Sequence, residues 1–369
     1  MSKLFFFIIW SNPWLYLTLI PIAKILAKKN YKIYIFCQKD FLNKTKIKNK
    51  NIIFVETNTY KYSLLKKITF IGFVLKVAVY SFLLSPKFVI GFNLHGFLCS
   101  LILKKINNRI SLLYYNYDFD LYKNIQTTFH KFLYKLNKKY INDCDLIIVP
   151  NKGRENLLKK ILKTKKQFLI VKNTFSKNFR LSLKKKRRYI SHIGFIGSGH
   201  YIEELINSAS YIKEGYKILL AGICEKDYFE HIKSLIDKKK LNGKVMLKRN
   251  ISINDWYNYL SSTYIGLVFY EPINVSNLNM NMTSQKMNNF IMAQIPMIVN
   301  NNIDFKDKNY LYYSKSKPTP SSISKKINHL INNKLLYDKM SNNLRKLFFN
   351  TQNLEFEIRK FLIFLNKKN

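Results

Sequence analysis

At 369 residues, 47% of them hydrophobic, the chain is too long for one modest domain, and two domains of roughly 150–200 residues each are expected. A formal charge of +42, from 63 Lys+Arg against 21 Asp+Glu, has three accounts: a drift of composition toward Lys and Asn, then an anionic membrane surface, then nucleic acid. Nucleic acid ranks last because no RNP-type, zinc-finger or basic-zipper pattern occurs, while Cys37, Cys99, Cys144 and Cys224 stand too far apart for a zinc site or disulfide framework and fit a reducing compartment as buried apolar residues.

The run Lys3–Trp10 leads straight into Ser11-Asn12-Pro13 and reads as a buried first strand rather than a signal core. Further strands are expected at Lys32–Phe36, Ile52–Val55, Phe88–Ile90, Ser111–Tyr115, Leu146–Val149 and Phe168–Val171, each separated from the next by residues of helical period. Strands alternating with helices pair in parallel, so the first half reads as a Rossmann-like sheet. The longest apolar stretch, Ile68 to Leu84, is interrupted by Lys76; at seventeen residues it falls just short of a comfortable membrane span and is expected to be a buried or interfacial helix. Ile125 to Lys139 mixes Phe129, Phe132, Leu133 and Leu136 with Lys131, Lys135, Lys138 and Lys139, which suits an interfacial helix or, more plainly, an amphipathic helix facing the core.

Periodicity stops between Asn173 and Tyr189, where Leu183-Lys-Lys-Lys-Arg-Arg188 adds a charge run, and a domain linker is expected there. A second series follows: His192–Ile196, Lys217–Ala221, Lys244–Leu247, Ile265–Phe269 and Met297–Val299. From Ser322 the pattern is helical, and Phe356, Phe361, Leu362 and Leu365 form a stripe suited to bracing the first domain. The expected boundaries are residues 1–175, 190–345 and a terminal helix over 346–369.

Four stretches carry a resemblance. Ile193-Gly194-Phe-Ile-Gly197-Ser198-Gly199-His200 joins a strand to a glycine loop, Lys217-Ile-Leu-Leu-Ala221-Gly222 is a strand with a terminal glycine, and Val245 to Leu260 is a strand, short loop and helix. The fourth runs from Tyr270-Glu271-Pro272 through Ser284-Gln285-Lys286-Met287-Asn288-Asn289 to Gln294-Ile-Pro296. In this order they resemble the donor domain of retaining glycosyltransferases with the glycosyltransferase B fold, especially bacterial lipopolysaccharide and capsule enzymes. The resemblance implies an α/β protein of two Rossmann-like domains facing a cleft, firmly over Ile190 to Asn300 and loosely before it.

On that resemblance Gly197 and Gly199 would let the backbone approach the donor diphosphate, Ser198, Gly222 and Asn289 would belong to the donor site, Lys286 would contact the phosphates, and Glu271 would take the first acidic position. Glu271 also reads as a solvated loop carboxylate, and Lys286 as one exposed lysine among many. The family pattern is broken at Asn289, where a second carboxylate is expected, and at Gln294, where a glycine is. An amide still hydrogen-bonds a ribose hydroxyl but brings no negative charge. In the first domain, His95 and Asp118 follow strands and are candidates for the catalytic, acceptor-facing positions, with helix capping or core satisfaction as the alternative for each. The implied activity is transfer of a sugar from a nucleotide diphosphate sugar to a hydroxyl of a surface glycan or lipid-linked saccharide, of lipopolysaccharide, lipooligosaccharide or capsule type. The resemblance implies retention, no metal and no cofactor beyond the donor, and the basic surface suits a cytoplasmic protein held at the anionic face of the inner membrane. A non-catalytic binding protein of the same fold and a charge-driven nucleic-acid binder are the competing readings.

Overall fold

The computed structural model describes residues 3–39, 49–58, 63–118, 122, 125–273, 277, 280, 284–301 and 313–368. The chain forms two compact units, Met1–Lys172 with Glu357–Asn369, and Asn173–Phe356.

The first unit is built on seven parallel strands in the order β3-β2-β1-β4-β5-β6-β7. They are β1 (Leu4–Ile8), β2 (Lys32–Gln38), β3 (Ile52–Thr57), β4 (Phe88–Phe92), β5 (Ser111–Tyr115), β6 (Leu146–Val149) and β7 (Phe168–Ile170). β1 is buried on both faces, as its run Leu-Phe-Phe-Phe-Ile requires, and Phe5 stacks on Phe88 of its neighbour with ring centres 4.7 Å apart. Crossover helices are α1 (Leu19–Lys28), α2 (Ser63–Leu84), α3 (Asn93–Ile106), α4 (Thr128–Tyr140) and α5 (Lys152–Leu162). Thr127 and Asn151 start α4 and α5 by accepting the amide hydrogens of His130 and Arg154.

The second unit repeats the plan with six parallel strands in the order β10-β9-β8-β11-β12-β13. Its strands are β8 (Tyr189–Ile196), β9 (Lys217–Cys224), β10 (Val245–Arg249), β11 (Thr263–Val268), β12 (Met297–Asn300) and β13 (Tyr313–Ser316). Its helices are α6 (Ile202–Ser208), α7 (Lys226–Lys238), α8 (Ile253–Ser261), α9 (Gln285–Met292), α10 (Pro320–Asn332), α11 (Lys334–Asn350) and the single turn α12 (Leu354–Glu357). A final helix, α13 (Arg359–Lys368), belongs to the first unit, where Lys368 pairs with Asp145 at 3.1 Å. Both sheets reverse direction of growth beside their first strand, between β1 and β4 and between β8 and β11. In open parallel sheets, ligands bind beyond the carboxyl ends of the strands at such points.

Three details differ from the sequence reading. The charged run before Tyr189 belongs to the second unit: Thr174 donates to the Gln352 carbonyl at 2.6 Å, and the Arg187 guanidinium lies 5.7 Å from the ring centres of both Tyr264 and Tyr337. β13 is an unanticipated strand, because Tyr-Ser-Lys-Ser offers no apolar run and buries only its two ends. The terminal stripe is also shifted. Phe356 is 40% exposed, and the buried series is Leu354, Ile358, Phe361 and Leu365, since the helix breaks at Ile358 and turns its face there. All four cysteines are buried free thiols.

Candidate functional site

At the switch point of the second sheet, the start of α9 puts a lysine beneath the carboxyl end of β8. Ser284 caps α9 by accepting the amide hydrogen of Met287 at 3.3 Å, and Lys286 then points inward with 4% of its surface exposed. Its Nζ lies 3.0 and 3.2 Å from Nε2 and Nδ1 of His192 on β8, 3.3 Å from Nδ1 of His200, and 4.9 Å from the centre of the Tyr270 ring. Tyr270 is fixed from both sides. Asn300 accepts from its amide at 3.0 Å and donates to its carbonyl at 2.8 Å, while its hydroxyl is hydrogen-bonded to Ser284.

The charge state of this group follows from burial. Burial drives the Lys286 amine well below the ordinary lysine value. His192 is lowered well below its usual value by burial, then by Lys286 and His200, and His200 falls to about 2 through burial and then Lys286. His192 Nε2 is 2.9 Å from the Phe195 carbonyl, which can only accept, so Nδ1 keeps a lone pair toward the amine. Among the described residues no carboxylate pairs with Lys286, and the sequence has no Asp or Glu between Glu271 and Asp304. Three basic groups held together without a counter-charge form a receptor for an anion: an arriving anion favours the ammonium form of Lys286 and stabilises it.

The glycine loop Gly197-Ser198-Gly199 follows β8. Gly199 has φ +87°, open to glycine at little cost, and its carbonyl accepts from the Glu271 amide at 2.8 Å, tying this loop to the one after β11. Ser198 is exposed, and Glu271 is partly exposed with its carbonyl accepting from Asn277 Nδ2 at 2.8 Å. The first turn of α6 carries Glu203 and Glu204, so cationic character at this edge comes from Lys286 rather than from that helix end. Gly222 pairs with Gly194 across β9 and β8, and a Cβ on it would stand 1.7 Å from the Gly194 carbonyl oxygen; the close approach of the two strands accounts for its missing side chain. Asn289 sits one turn beyond Lys286 and is 1% exposed, with both amide atoms buried and no hydrogen-bond partner among the described residues. Gln294, standing where a glycine is expected, adopts φ +58°, a conformation that favours glycine.

In the first unit the carboxyl edge is organised by Asn93, at φ +54° between β4 and α3. Its Oδ1 accepts from the amides of Tyr117 and Asp118, both at 2.9 Å, and its Nδ2 donates to the Tyr16 hydroxyl at 3.2 Å and lies 3.5 Å from Asp118 Oδ2. Asp118 is exposed there, and burial followed by the Asp118 charge raises the Tyr16 phenol to about 12. His95 faces another group: its ring lies 5.2 Å from Phe70, 5.8 Å from Phe129 and 4.9 Å from His130, and burial, then His130, lowers it to about 3. Two Asp-x-Asp spacings occur. Asp118-Phe119-Asp120 runs outside the described residues, and in Asp143-Cys144-Asp145 both carboxylates pair with lysines, Asp143 with Lys105 and Asp145 with Lys104 and Lys368. Among the described residues, no three His, Cys, Asp or Glu side chains converge as a metal site.

Sequence reasoning assigned no role to His192, His200, Tyr270, Asn300, Tyr16 or Asn93. The available signal was a histidine inside the otherwise apolar strand β8 and an asparagine at a strand-to-helix junction.

No protein-family model and no curated protein matches the chain. Solved structures do match by fold. HepE from Anabaena, in complex with UDP and glucose, has a TM-score of 0.78 at 13% identity, covering 99% of this chain and 100% of that one. Sucrose-phosphate synthase from Thermosynechococcus elongatus matches with a TM-score of 0.74 at 12% identity and 99% of each chain. A UDP-N-acetylglucosamine 2-epimerase, so described, from Listeria monocytogenes matches with a TM-score of 0.65 at 12% identity, covering 100% of this chain and 96% of that one. With two parallel sheets of seven and six strands, the chain has the α/β architecture of two Rossmann-like domains known as the glycosyltransferase B fold.

Proposed function

We propose that the protein transfers a sugar from a nucleoside diphosphate sugar to a hydroxyl of a surface glycan or lipid-linked saccharide, working in the cytoplasm. The observation that carries this reading is Lys286, a buried amine at the switch point with two imidazoles and, among the described residues, no carboxylate beside it. In the reaction, the bond from the sugar C1 to the diphosphate oxygen breaks, the acceptor oxygen bonds to C1, and the acceptor proton leaves to a base. Negative charge grows on the diphosphate, and an ammonium already fixed beside it binds that charge more tightly than it binds the intact donor. Asp118, exposed at the carboxyl edge of the first sheet, is the base this reading assigns, while the packing of His95 against Phe70, Phe129 and His130 favours a core role for that side chain over the acceptor-facing one. Retention of configuration and independence from metal rest on the family resemblance alone.

The fold also houses an epimerase that acts on a nucleotide sugar, so nucleotide binding and sugar transfer need separate tests. A second reading, a non-catalytic binding protein, draws on Asn289 standing where a carboxylate is expected. Calorimetric titration with UDP, GDP and CDP, followed by NMR of the matching sugar nucleotides with and without glycan acceptors, separates the readings. Selective binding with release of the diphosphate supports transfer, binding with an intact donor supports the second reading, and conversion of the donor to its epimer replaces both. Absence of binding to any nucleotide overturns the proposal. The anomeric proton of the product and activity in chelator test retention and metal independence.

A further inference from the structure

Helix α2 is apolar on every side. One side belongs to the core of its own unit, where Phe70, Phe73 and Val77 are buried with Phe6, Phe36 and Val89. The other side presents Ile68, Ile71, Leu75, Val79, Phe82 and Leu83, each more than half exposed, with Phe82 at 84%. At 3.6 residues per turn these six fall within an arc of roughly 120° and run about 23 Å along the helix. Such a patch, on the order of several hundred Å², has the size of the largest apolar patch on a typical monomer, which is often a functional surface. Lys76, the one charge in the middle of the run, is drawn off the stripe, its Nζ donating to the Glu56 carbonyl at 3.1 Å and lying 3.5 Å from Thr57 Oγ1.

Lys67–Leu84 is long and apolar enough to cross a bilayer, with a mean hydropathy of 1.8. Crossing would strip Phe73 and Val77, fully buried, out of the core. Lying flat with the stripe in the acyl boundary leaves that core intact. The surrounding charge selects the kind of surface. From Thr57 to Tyr117 the chain has eight Lys or Arg and no Asp or Glu. Helix α4 lies alongside: Phe129 meets Phe70 edge-on at 5.6 Å and stacks on Phe132 at 6.5 Å. Phe132 is half exposed, Lys135, Lys138 and Lys139 are exposed, and α4 contains no acidic residue. An apolar stripe edged by lysines matches acyl chains beneath anionic headgroups.

We propose that α2, with the lysines of α4 beside it, seats the protein flat on an anionic lipid bilayer. This goes beyond the sugar-transfer reading and stands without it. The test is sedimentation of the full chain with vesicles of phosphatidylcholine, alone and mixed with phosphatidylglycerol, for wild type and the Leu75→Glu/Phe82→Glu variant. Wild type is expected to bind the phosphatidylglycerol vesicles, more weakly as salt rises, and the variant to lose binding by about tenfold or more. The variant should melt as wild type does, since both side chains face solvent, and should bind nucleotide unchanged, since Lys286 lies in the other unit. Failure of wild type to bind anionic vesicles, or equal binding by the variant, overturns the proposal. So does a vesicle-free dimer that the variant converts to monomer by light scattering, which assigns the stripe to a second copy of the chain.

Discussion

Replacing Lys286 by methionine should make the protein more stable and worse at binding nucleotide. The amine is buried against two imidazoles that are lowered first by burial and then by its presence, with no carboxylate among the described residues to offset the charge. Methionine keeps most of the volume and removes the polar group, and burying a polar group that is poorly compensated costs about 1–3 kcal/mol in proteins. For a unit the size of Asn173–Phe356, each kcal/mol moves the melting temperature by about 2–4 °C, so Lys286→Met should melt roughly 2–12 °C higher. The sign with pH is fixed. The folded-state value of Lys286 lies below the unfolded one, so the unfolded chain holds the extra proton and wild-type stability rises with pH up to the ordinary lysine value near 10.4. The stability gain of the variant should therefore be largest at low pH and shrink as pH approaches 10.

Binding should move the opposite way. A hydrogen bond to a charged group is worth about 1.5–3 kcal/mol, so Lys286→Met should weaken diphosphate binding roughly 10- to 150-fold. A diphosphate raises the Lys286 value again, so wild type should take up protons on binding UDP and bind less tightly as pH rises. Calorimetry in buffers of different ionisation enthalpy measures that uptake, and scanning calorimetry on the same preparations measures stability. A variant that melts lower than wild type would show that the lysine is structural. A variant that binds UDP within twofold of wild type, with the same proton uptake, would remove Lys286 from the site.

Gly222→Ala should cost about 3 kcal/mol or more, because its φ of +150° suits glycine and the added Cβ would stand 1.7 Å from the Gly194 oxygen; a melting temperature within a degree of wild type refutes that packing account. Asn289→Leu removes two buried polar atoms without partners and should stabilise by about 1–2 kcal/mol. If its amide reads the ribose, UDP binding falls about tenfold while pyrophosphate binding holds, and equal effects on both ligands exclude that role. Asn93→Ala loses the acceptor for the Tyr117 and Asp118 amides and a residue suited to φ +54°, so it should destabilise by about 2–3 kcal/mol. In the transfer assay it should raise the acceptor KM and leave the UDP Kd unchanged.

Most strands were legible because they are short apolar runs, many of them, such as β1 and β4, buried on both faces, a pattern that survives without knowing its neighbours. β13 was not, since an edge strand of Tyr-Ser-Lys-Ser has no such run and is recognised only by pairing with β12. The site was legible in outline and hidden in chemistry. Lys286 stood out by its place at a helix start after a strand, but among 63 basic residues nothing local marks it as buried. Its environment comes from His192, 94 positions earlier in the chain, and from the space left by Gly194, where a Cβ would lie 3.2 Å from the lysine Cε. Gln294 shows the converse. A missing glycine reads as a broken motif, yet Gln294 itself takes the left-handed conformation that a glycine adopts most readily.

Local rules and fold disagree most at two places, a buried amine in one unit and an exposed apolar helix face in the other. Each costs free energy in the isolated chain, the first by desolvating a basic group and the second by leaving apolar surface in water. Methionine at 286 and polar residues along α2 would remove both costs without disturbing either sheet, since neither feature holds strands together. Places where a chain breaks local rules in this way are expected to be functional sites, so partners that offset the two costs are the reading to test. The partners differ in chemistry as the defects do: a compact polyanion answers an amine set between imidazoles, and an extended anionic bilayer answers an apolar stripe edged with lysine.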